Sequence, residues 1–244
     1  IFRFQKILFN SGENKKNMSF KKLSDSPFIK NNENPQVFVE QGSDAYKNTI
    51  KALSNIDLSI VKGKKVLLKP NAGRMAEFGS GINTNPQVVA AAIDAFRKAG
   101  AHVSIGESPI TGAKTHEVYE ITGIKKIADE RNCELIDMDK NPFIPIEFPE
   151  AIANKTFKVC PEVYDFDIIV SIPVIKMHMH TGVTLAVKNM KGCLWRRSKV
   201  KLHMLPAVED YDDKPLDIAI ADMSYILKPH LSIIDGTVCM EGMG

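Results

Sequence analysis

The sequence lacks both a long apolar run and a close pair of cysteines. No segment approaches the roughly 20 apolar residues of a transmembrane helix, so the sequence argues against a membrane span and a membrane partner. The four cysteines, Cys133, Cys160, Cys193 and Cys239, lie far apart with no Cys-x-x-Cys pair. This spacing excludes a self-contained ferredoxin or zinc-ribbon module and argues against a disulfide framework. We therefore expect a protein of the reducing cytoplasm.

Familiar catalytic motifs are missing as well. The sequence contains no P-loop, no Gly-x-Gly-x-x-Gly, no Gly-x-Ser-x-Gly and no His-Glu-x-x-His. A function must therefore be sought in residues that the fold brings together.

The positive charge is concentrated at the N-terminus. Residues 1–36 carry seven Lys or Arg and three Asp or Glu, which leaves 25 basic and 26 acidic residues in the rest of the chain. A nearly neutral body argues against a general nucleic-acid-binding surface. Residues 1–36 are rich in Lys, Asn and Ser and are predicted to be flexible or non-native, with Met18 as the natural start.

From residue 37 onward, strand-like apolar runs alternate with helix-like segments, and 44% hydrophobic content is enough to form a core. Asn85 and Pro86 form a helix start, and Gly123 interrupts a helix. Residues 142–161 are predicted to be irregular, or a small excursion from the sheet. We predict strands at 37–40, 65–69, 101–105, 134–137, 167–172 and 231–235, and helices at 43–55, 86–98, 116–131 and 216–227. Residues 37–244 are thus predicted to form one α/β domain, a mostly parallel sheet flanked by helices, open and incomplete at its C-terminus.

Ligands of open parallel sheets bind beyond the carboxyl ends of the strands. Four predicted strands are each followed there by polar or titratable side chains, which indicates a site. They are Lys69 and Asn71, Glu107, then Lys176, His178 and His180, and finally Asp235 and Glu241.

The stretch from Ile168 to Val208 contains no Asp or Glu but many basic residues. Such a concentration of positive charge favours carboxylate or phosphate ligands. Lys176, Lys188 and Lys191 lie among apolar residues, where burial readily lowers a lysine pKa.

His178 and His180 are two residues apart, so on an extended segment their rings share a face. That spacing suits a metal site or a proton shuttle with Lys176. Met177 and Met179 are expected to point the other way, into packing. A separate interpretation uses Trp195 and the cations up to Lys201 as a surface that stacks bases and contacts phosphates.

Six blocks resemble the bacterial and archaeal family known as domain of unknown function 362. They span residues 66–71, 84–86, 106–108, 176–178, 183–192 and 235–242. The resemblance adds Asn189 to the candidate residues and implies a link to ferredoxin-type iron–sulfur modules. It also implies a further half of the sheet after Gly242, so the chain is expected to be truncated.

We therefore expect an enzyme acting on a small anionic substrate or cofactor, a carboxylate or a phosphate, by redox or isomerisation chemistry. The expected substrate-binding residues are Lys69, Asn71, Lys188, Asn189 and Glu241. The expected catalytic residues are Lys176, His178, His180, Glu107 and Asp235.

Two alternatives stay open. The first is an accessory protein without turnover that binds a transition metal through His178 and His180, or that works with an external iron–sulfur cluster on a ferredoxin-like partner. The second is nucleic-acid binding through residues 195–201.

Overall fold

The computed structural model describes residues 22–29, 34–212 and 214–242. Its strands are β1 (Lys65–Pro70), β2 (His102–Glu107), β3 (Glu134–Asp137), β4 (Ile144–Glu147), β5 (Thr156–Val159), β6 (Ile168–Ile172), β7 (Val174–His178), β8 (Gly182–Thr184), β9 (Leu231–Ser232) and β10 (Asp235–Met240). Its helices are α1 (Ala45–Leu53), α2 (Pro86–Lys98), α3 (Thr115–Ile121), α4 (Ile124–Glu130), α5 (Ala186–Asn189), α6 (Ser198–Lys201) and α7 (Pro215–Ile226).

A five-stranded parallel sheet in the order β3-β2-β1-β6-β9 forms the centre of the fold. Strands β1 and β6 are almost wholly buried, as expected for strands covered on both faces. One core cluster includes α2 and α4, and a second includes α7 and the β4–β5 hairpin. These observations confirm the predicted α/β class with a mostly parallel, helix-flanked sheet.

The strongest local signals in the sequence correspond to observed structure. Asn85 caps α2 by accepting a hydrogen bond from the Gln87 backbone N–H, and Pro86 is the first residue of the helix. Gly123 separates α3 from α4 with φ of 73°, a left-handed conformation that glycine adopts without strain.

Several weaker predictions were wrong. Residues 37–40 form no strand, and Val37 and Val39 are more than 80% exposed. The segment predicted to be irregular, 142–161, contains the antiparallel β4–β5 hairpin, whose Ile146 and Phe157 are buried. The last predicted strand is only the two-residue β9, because the chain leaves the main sheet before Asp235.

A small second sheet, in the order β10-β7-β8, extends from the carboxyl edge of the main sheet. Strand β7 follows β6 after a single proline, and β8 pairs with it in antiparallel fashion. This arrangement carries Lys176 and His178 over the end of the main sheet.

Part of the predicted flexible N-terminus packs against the body. The Leu23 backbone N–H donates to the Ile226 carbonyl at 3.0 Å, and the Leu23 side chain is buried. Residues 1–21 and 30–33 lie outside the described residues. Among the described helices, none has the length and apolar character needed to cross a bilayer.

Candidate functional site

A buried ion pair lies at the carboxyl ends of β1 and β2. The Lys69 ammonium is 2.8 Å from Glu107 Oε2, and both side chains are at most 2% exposed. Backbone N–H groups of Ala72 and Ser108 also donate to the Glu107 carboxylate. Burying two charges is tolerable only when partners satisfy them this fully. The two residues that the sequence predicted at neighbouring strand ends are therefore in contact, and both side chains are shielded from solvent.

Asn189, at the end of α5, connects the ion pair to the surface. Its Oδ1 accepts from Lys69 Nζ and Asn71 Nδ2, both at 3.2 Å, and its Nδ2 donates to the Lys69 carbonyl and to Ser171 Oγ at 3.0 Å. Asn71 Oδ1 in turn accepts from Lys176 Nζ at 2.5 Å. A continuous network therefore runs from Glu107 to Lys176 and fixes the position of the Lys176 ammonium.

Gly192 lets a backbone turn pass directly over the ion pair. A Cβ at this position would overlap Glu107 Oε1 and lie 2.6 Å from Lys69 Cε. Gly192 belongs to the 3₁₀ turn Met190–Cys193, which directly follows α5. The close approach seals the buried pair from solvent.

Three lysines with lowered pKa values lie on the outer side of this network. Burial lowers the pKa of Lys176 to about 8, of Lys188 to about 7 and of Lys191 to about 8. Neighbouring cations add to the effect: Lys191 and Lys176 act on Lys188, and Lys199 acts on Lys191. Among the described residues, no salt bridge joins these three lysines to a carboxylate.

Three histidine rings adjoin the lysines. The ring centroids of His178, His180 and His203 are 5.6 to 5.9 Å apart. Burial and the positive charge of Lys188 and Lys191 lower the pKa of His178 and of His203 to about 4. At neutral pH these two imidazoles are therefore uncharged, and they are weak proton acceptors. We call Lys176, Lys188, Lys191, His178, His180 and His203 the lysine–histidine cluster.

The histidines are arranged differently from the simple alternation that the sequence suggested. His178 ends β7, and His180 lies in the turn before β8. His178 Nδ1 accepts from the His180 backbone N–H at 3.1 Å. The prediction that Met177 and Met179 pack inside was wrong, because they are 49% and 56% exposed.

Two predicted site residues, Asp235 and Glu241, come from β10 and the residue after it, and β10 pairs with β7. Asp235 is buried, and its Oδ2 accepts from the Asn85 N–H at 2.7 Å while its Oδ1 accepts from the N–H and hydroxyl of Thr237. The carboxylate thus joins β10 to the start of α2. Glu241 is exposed after β10.

The lysine–histidine cluster includes His203, which was not singled out from the sequence, and it brings His203 against Lys191, which was. His203 comes from the short 3₁₀ turn Leu202–Met204, and its Nε2 lies 2.6 Å from Lys191 Nζ. Both fall in the acid-free stretch 168–208, which was the available signal. Their convergence on His178 depends on a chain reversal that no sequence spacing encodes.

Metal ligation has limited support in the geometry. In the part of the chain that the structure describes, no group of three or more His, Cys, Asp or Glu side chains is arranged to hold a metal ion. The four cysteines are free thiols, and burial raises the pKa of Cys133, Cys160 and Cys193. Because thiolate is the ligating form, these buried thiols are poor ligands.

The basic segment 195–201 is engaged within the protein. Trp195 packs against Phe143 with ring centroids 5.1 Å apart, and the Arg196 guanidinium lies 4.7 Å from the Trp195 ring centroid. The Lys199 side chain is 11% exposed, and its Nζ donates to Ser108. A stacking platform for bases would need a freer tryptophan.

Comparisons with known proteins match most of the chain. The model of a family described as a domain of unknown function (DUF362) matches residues 66–244. Thylakoid-associated protein sll1697 of Synechocystis is 25% identical over 198 residues, which cover 81% of this chain and 59% of that protein. The chain therefore spans about three-fifths of the length of this curated relative.

Solved structures resemble the fold at low sequence identity. The lactate racemase apoprotein of Thermoanaerobacterium thermosaccharolyticum has a TM-score of 0.52 and 14% identity over 88% of this chain and 55% of its own. A protein of Thermotoga maritima has a TM-score of 0.49 and 16% identity, covering 80% and 51%. The likeness to the racemase supports the α/β fold and, at this identity, the fold alone.

Proposed function

The chain belongs to the family described as domain of unknown function (DUF362), and from that premise we propose that it binds a small carboxylate or phosphate in the lysine–histidine cluster and acts on it by proton transfer. The observation that carries the proposal is the group Lys176, Lys188 and Lys191, three partly desolvated amines without a salt bridge in the described chain. Clustered cations of this kind are stabilised by an anion that supplies the missing opposite charge.

The amines and the imidazoles have different tasks in this proposal. The positive charges of Lys188 and Lys191 repel each other, and together they attract the anionic group. Lys176 is held by Asn71 Oδ1 and by the Ile82 carbonyl at 2.8 Å, so it is a fixed donor at the edge of the site. His178 and His203 are uncharged at neutral pH and hydrogen-bond the bound molecule. A cluster lysine that has lost its proton is the base, because its pKa of about 7 to 8 lies near neutral pH.

Lys69, Asn189 and Glu107 support the site from below. They are buried, so they position Asn71 and Lys176 and do not themselves contact a ligand.

Proton transfer at a carbon next to a carboxylate would make the reaction an isomerisation. An external electron donor would instead make it a redox step.

The test is isothermal titration calorimetry with pyruvate, lactate and inorganic phosphate, each compared with an uncharged analogue. We expect binding of at least one anion to the native protein and at least about tenfold weaker binding to Lys188→Ala, since loss of one charged contact is worth about 1.5–3 kcal/mol. Lys201→Ala is the matched control, because Lys201 is exposed at the end of the same basic stretch.

Unchanged affinity in a folded Lys188→Ala protein would exclude Lys188 as an anion ligand. Equal losses in Lys188→Ala and Lys201→Ala would indicate a diffuse effect of net charge. Circular dichroism of each variant establishes that the fold is kept.

A metal-associated accessory role is the second candidate: the rings of His178, His180 and His203 adjoin one another, although in the described chain they do not form a three-ligand metal site. A transition metal bound there, or an iron–sulfur cluster on a ferredoxin-like partner, would supply redox chemistry. If this second candidate is right, anaerobically purified protein should carry stoichiometric metal. That metal should be absent from His178→Ala and from His180→Ala.

A further inference from the structure

The three lysines of the cluster differ in how fully their amines are occupied. Lys176 Nζ donates to two acceptors, Asn71 Oδ1 and the Ile82 carbonyl. Lys191 Nζ is 2.6 Å from a ring nitrogen of His203. Lys188 Nζ makes one hydrogen bond within the described chain, a donation to Thr184 Oγ1 at 3.1 Å. Lys188 is therefore the amine with the most freedom to react.

We propose that Lys188 is a nucleophile that forms an imine with a small keto acid or aldehyde acid held in the lysine–histidine cluster. This inference rests on the proposed function, because the carboxylate of the substrate is bound by the neighbouring cations. It names the substrate class as molecules that combine a carbonyl group with an anionic group.

The position of Lys188 suits this chemistry. It lies in the last turn of the short helix α5 and is half-buried, so it is reachable from solvent yet partly desolvated. Its buried neighbour Thr184, the last residue of β8, accepts a hydrogen bond from the Lys188 amine at its hydroxyl oxygen. An amine that donates one hydrogen keeps its lone pair for attack when it is unprotonated.

The charges around Lys188 favour its neutral form. Lys191, Lys176 and Arg74 act on it with positive charge, and Asp217 opposes them. Together with burial they lower its pKa to about 7. At neutral pH such an amine holds about 10³ times more of the unprotonated form than an ordinary lysine. Proximity to other cations and desolvation are established ways to activate a lysine for imine formation.

The step balances without an oxidant or a reductant. The nitrogen lone pair attacks the carbonyl carbon, a C–N bond forms, and the carbonyl π pair moves to oxygen. The nitrogen gives up its protons, the oxygen gains two protons and leaves as water, and a C=N bond remains. The unprotonated amines of Lys176 and Lys191, whose pKa values are about 8, are the nearby proton acceptors, and their ammonium forms are the donors. The imine then withdraws electrons from the adjacent carbon, which eases proton removal there.

The experiment is reductive trapping with the native chain. Protein is incubated with pyruvate at neutral pH, sodium borohydride is added, and intact-mass and peptide mass spectrometry locate the adduct. We expect one reduced pyruvate per chain at Lys188, with labelling at least about tenfold above that at the exposed Lys201. Acetone, a methyl ketone without a carboxylate, is expected to label Lys188 far less.

Two variants make the result decisive. Lys188→Arg keeps the positive charge and is expected to abolish the adduct, whereas Lys201→Arg is expected to keep it. Absence of an adduct on native protein, or an equal yield in Lys188→Arg, would overturn the inference. Calorimetry without borohydride separates the two proposals: pyruvate binding with no adduct removes only the imine, and no adduct together with no binding of pyruvate, lactate or phosphate removes both.

Discussion

Lys69 and Glu107 illustrate how much of a residue's role depends on burial. Their positions after β1 and β2 predict that they meet, and they do so at 2.8 Å. The same spacing does not reveal that the chain around Gly192 closes over them. They were predicted as a ligand-binding lysine and a catalytic carboxylate. The structure has both side chains buried, and we propose that they support Asn189 and Asn71.

Removing one partner of this ion pair should be strongly destabilising. Lys69→Met leaves the Glu107 charge buried without its cation, and we expect the free energy of unfolding to fall by about 3–5 kcal/mol. The double variant Lys69→Met/Glu107→Gln should recover part of this loss. Urea denaturation measures both.

The exposed pair Lys114–Glu117 is the matched control for this prediction. Lys114→Met should leave the unfolding midpoint nearly unchanged, because water and salt screen an exposed pair. If Lys69→Met were as mild as Lys114→Met, the ion pair would not be a structural support.

Gly192 gives a second prediction at the residue scale. Gly192→Ala should lower both stability and anion affinity, because the added Cβ must displace Glu107 or Lys69. Gly73→Ala is the control, since the nearest atom to its added Cβ is Asn71 Nδ2 at 3.9 Å. Thermal unfolding and calorimetry compare the two; equal behaviour would contradict the close approach described here.

At the scale of elements, the Asp235 carboxylate joins β10 to the start of α2. Asp235 was predicted as a catalytic residue, and the structure has it accepting hydrogen bonds from Asn85 and Thr237. We expect Asp235→Ala to lower the free energy of unfolding by about 1–3 kcal/mol, because buried donors lose their acceptor. Anion affinity measured by calorimetry on the folded variant should stay within about twofold, and a tenfold loss would restore Asp235 to the site.

Elements with strong local signals were predictable, and those that depend on distant partners were not. The cap at Asn85 and the break at Gly123 are local in origin. The β4–β5 hairpin owes its stability to Ile146 and Phe157 packing into the second core cluster. Residues 37–40 have a strand-like composition but remain exposed, so composition alone misassigns them.

For the whole molecule, the sequence predicted the edge of the sheet at which the lysine–histidine cluster lies and the positive charge of that region. The residues of the lysine–histidine cluster all come from the acid-free stretch 168–208. The sequence could not distinguish Lys69 from Lys188. One is enclosed beneath a turn and the other is half-buried at the surface, and only the packing of α5 over β1 and β6 separates them.

The cluster also predicts how stability depends on pH. Lys188, Lys191 and Lys176 have folded-state pKa values of about 7 to 8, below the 10.5 of an ordinary lysine. Between about pH 6 and pH 9 the unfolded chain therefore binds more protons, and the free energy of unfolding should rise with pH. Lys188→Met should flatten this rise in urea denaturation of the ligand-free protein. An unchanged slope would mean that Lys188 is not desolvated.

Anion affinity should have the opposite pH dependence, and its measurement tests the central claim most directly. Pyruvate, whose charge is constant in this range, is titrated into the native protein by calorimetry between about pH 6 and pH 9. We predict that affinity falls as pH rises through about 7 to 8, where the cluster lysines lose their charge. An affinity that is independent of pH over this range, or the absence of binding at its acidic end, would contradict an anion site built from these lysines.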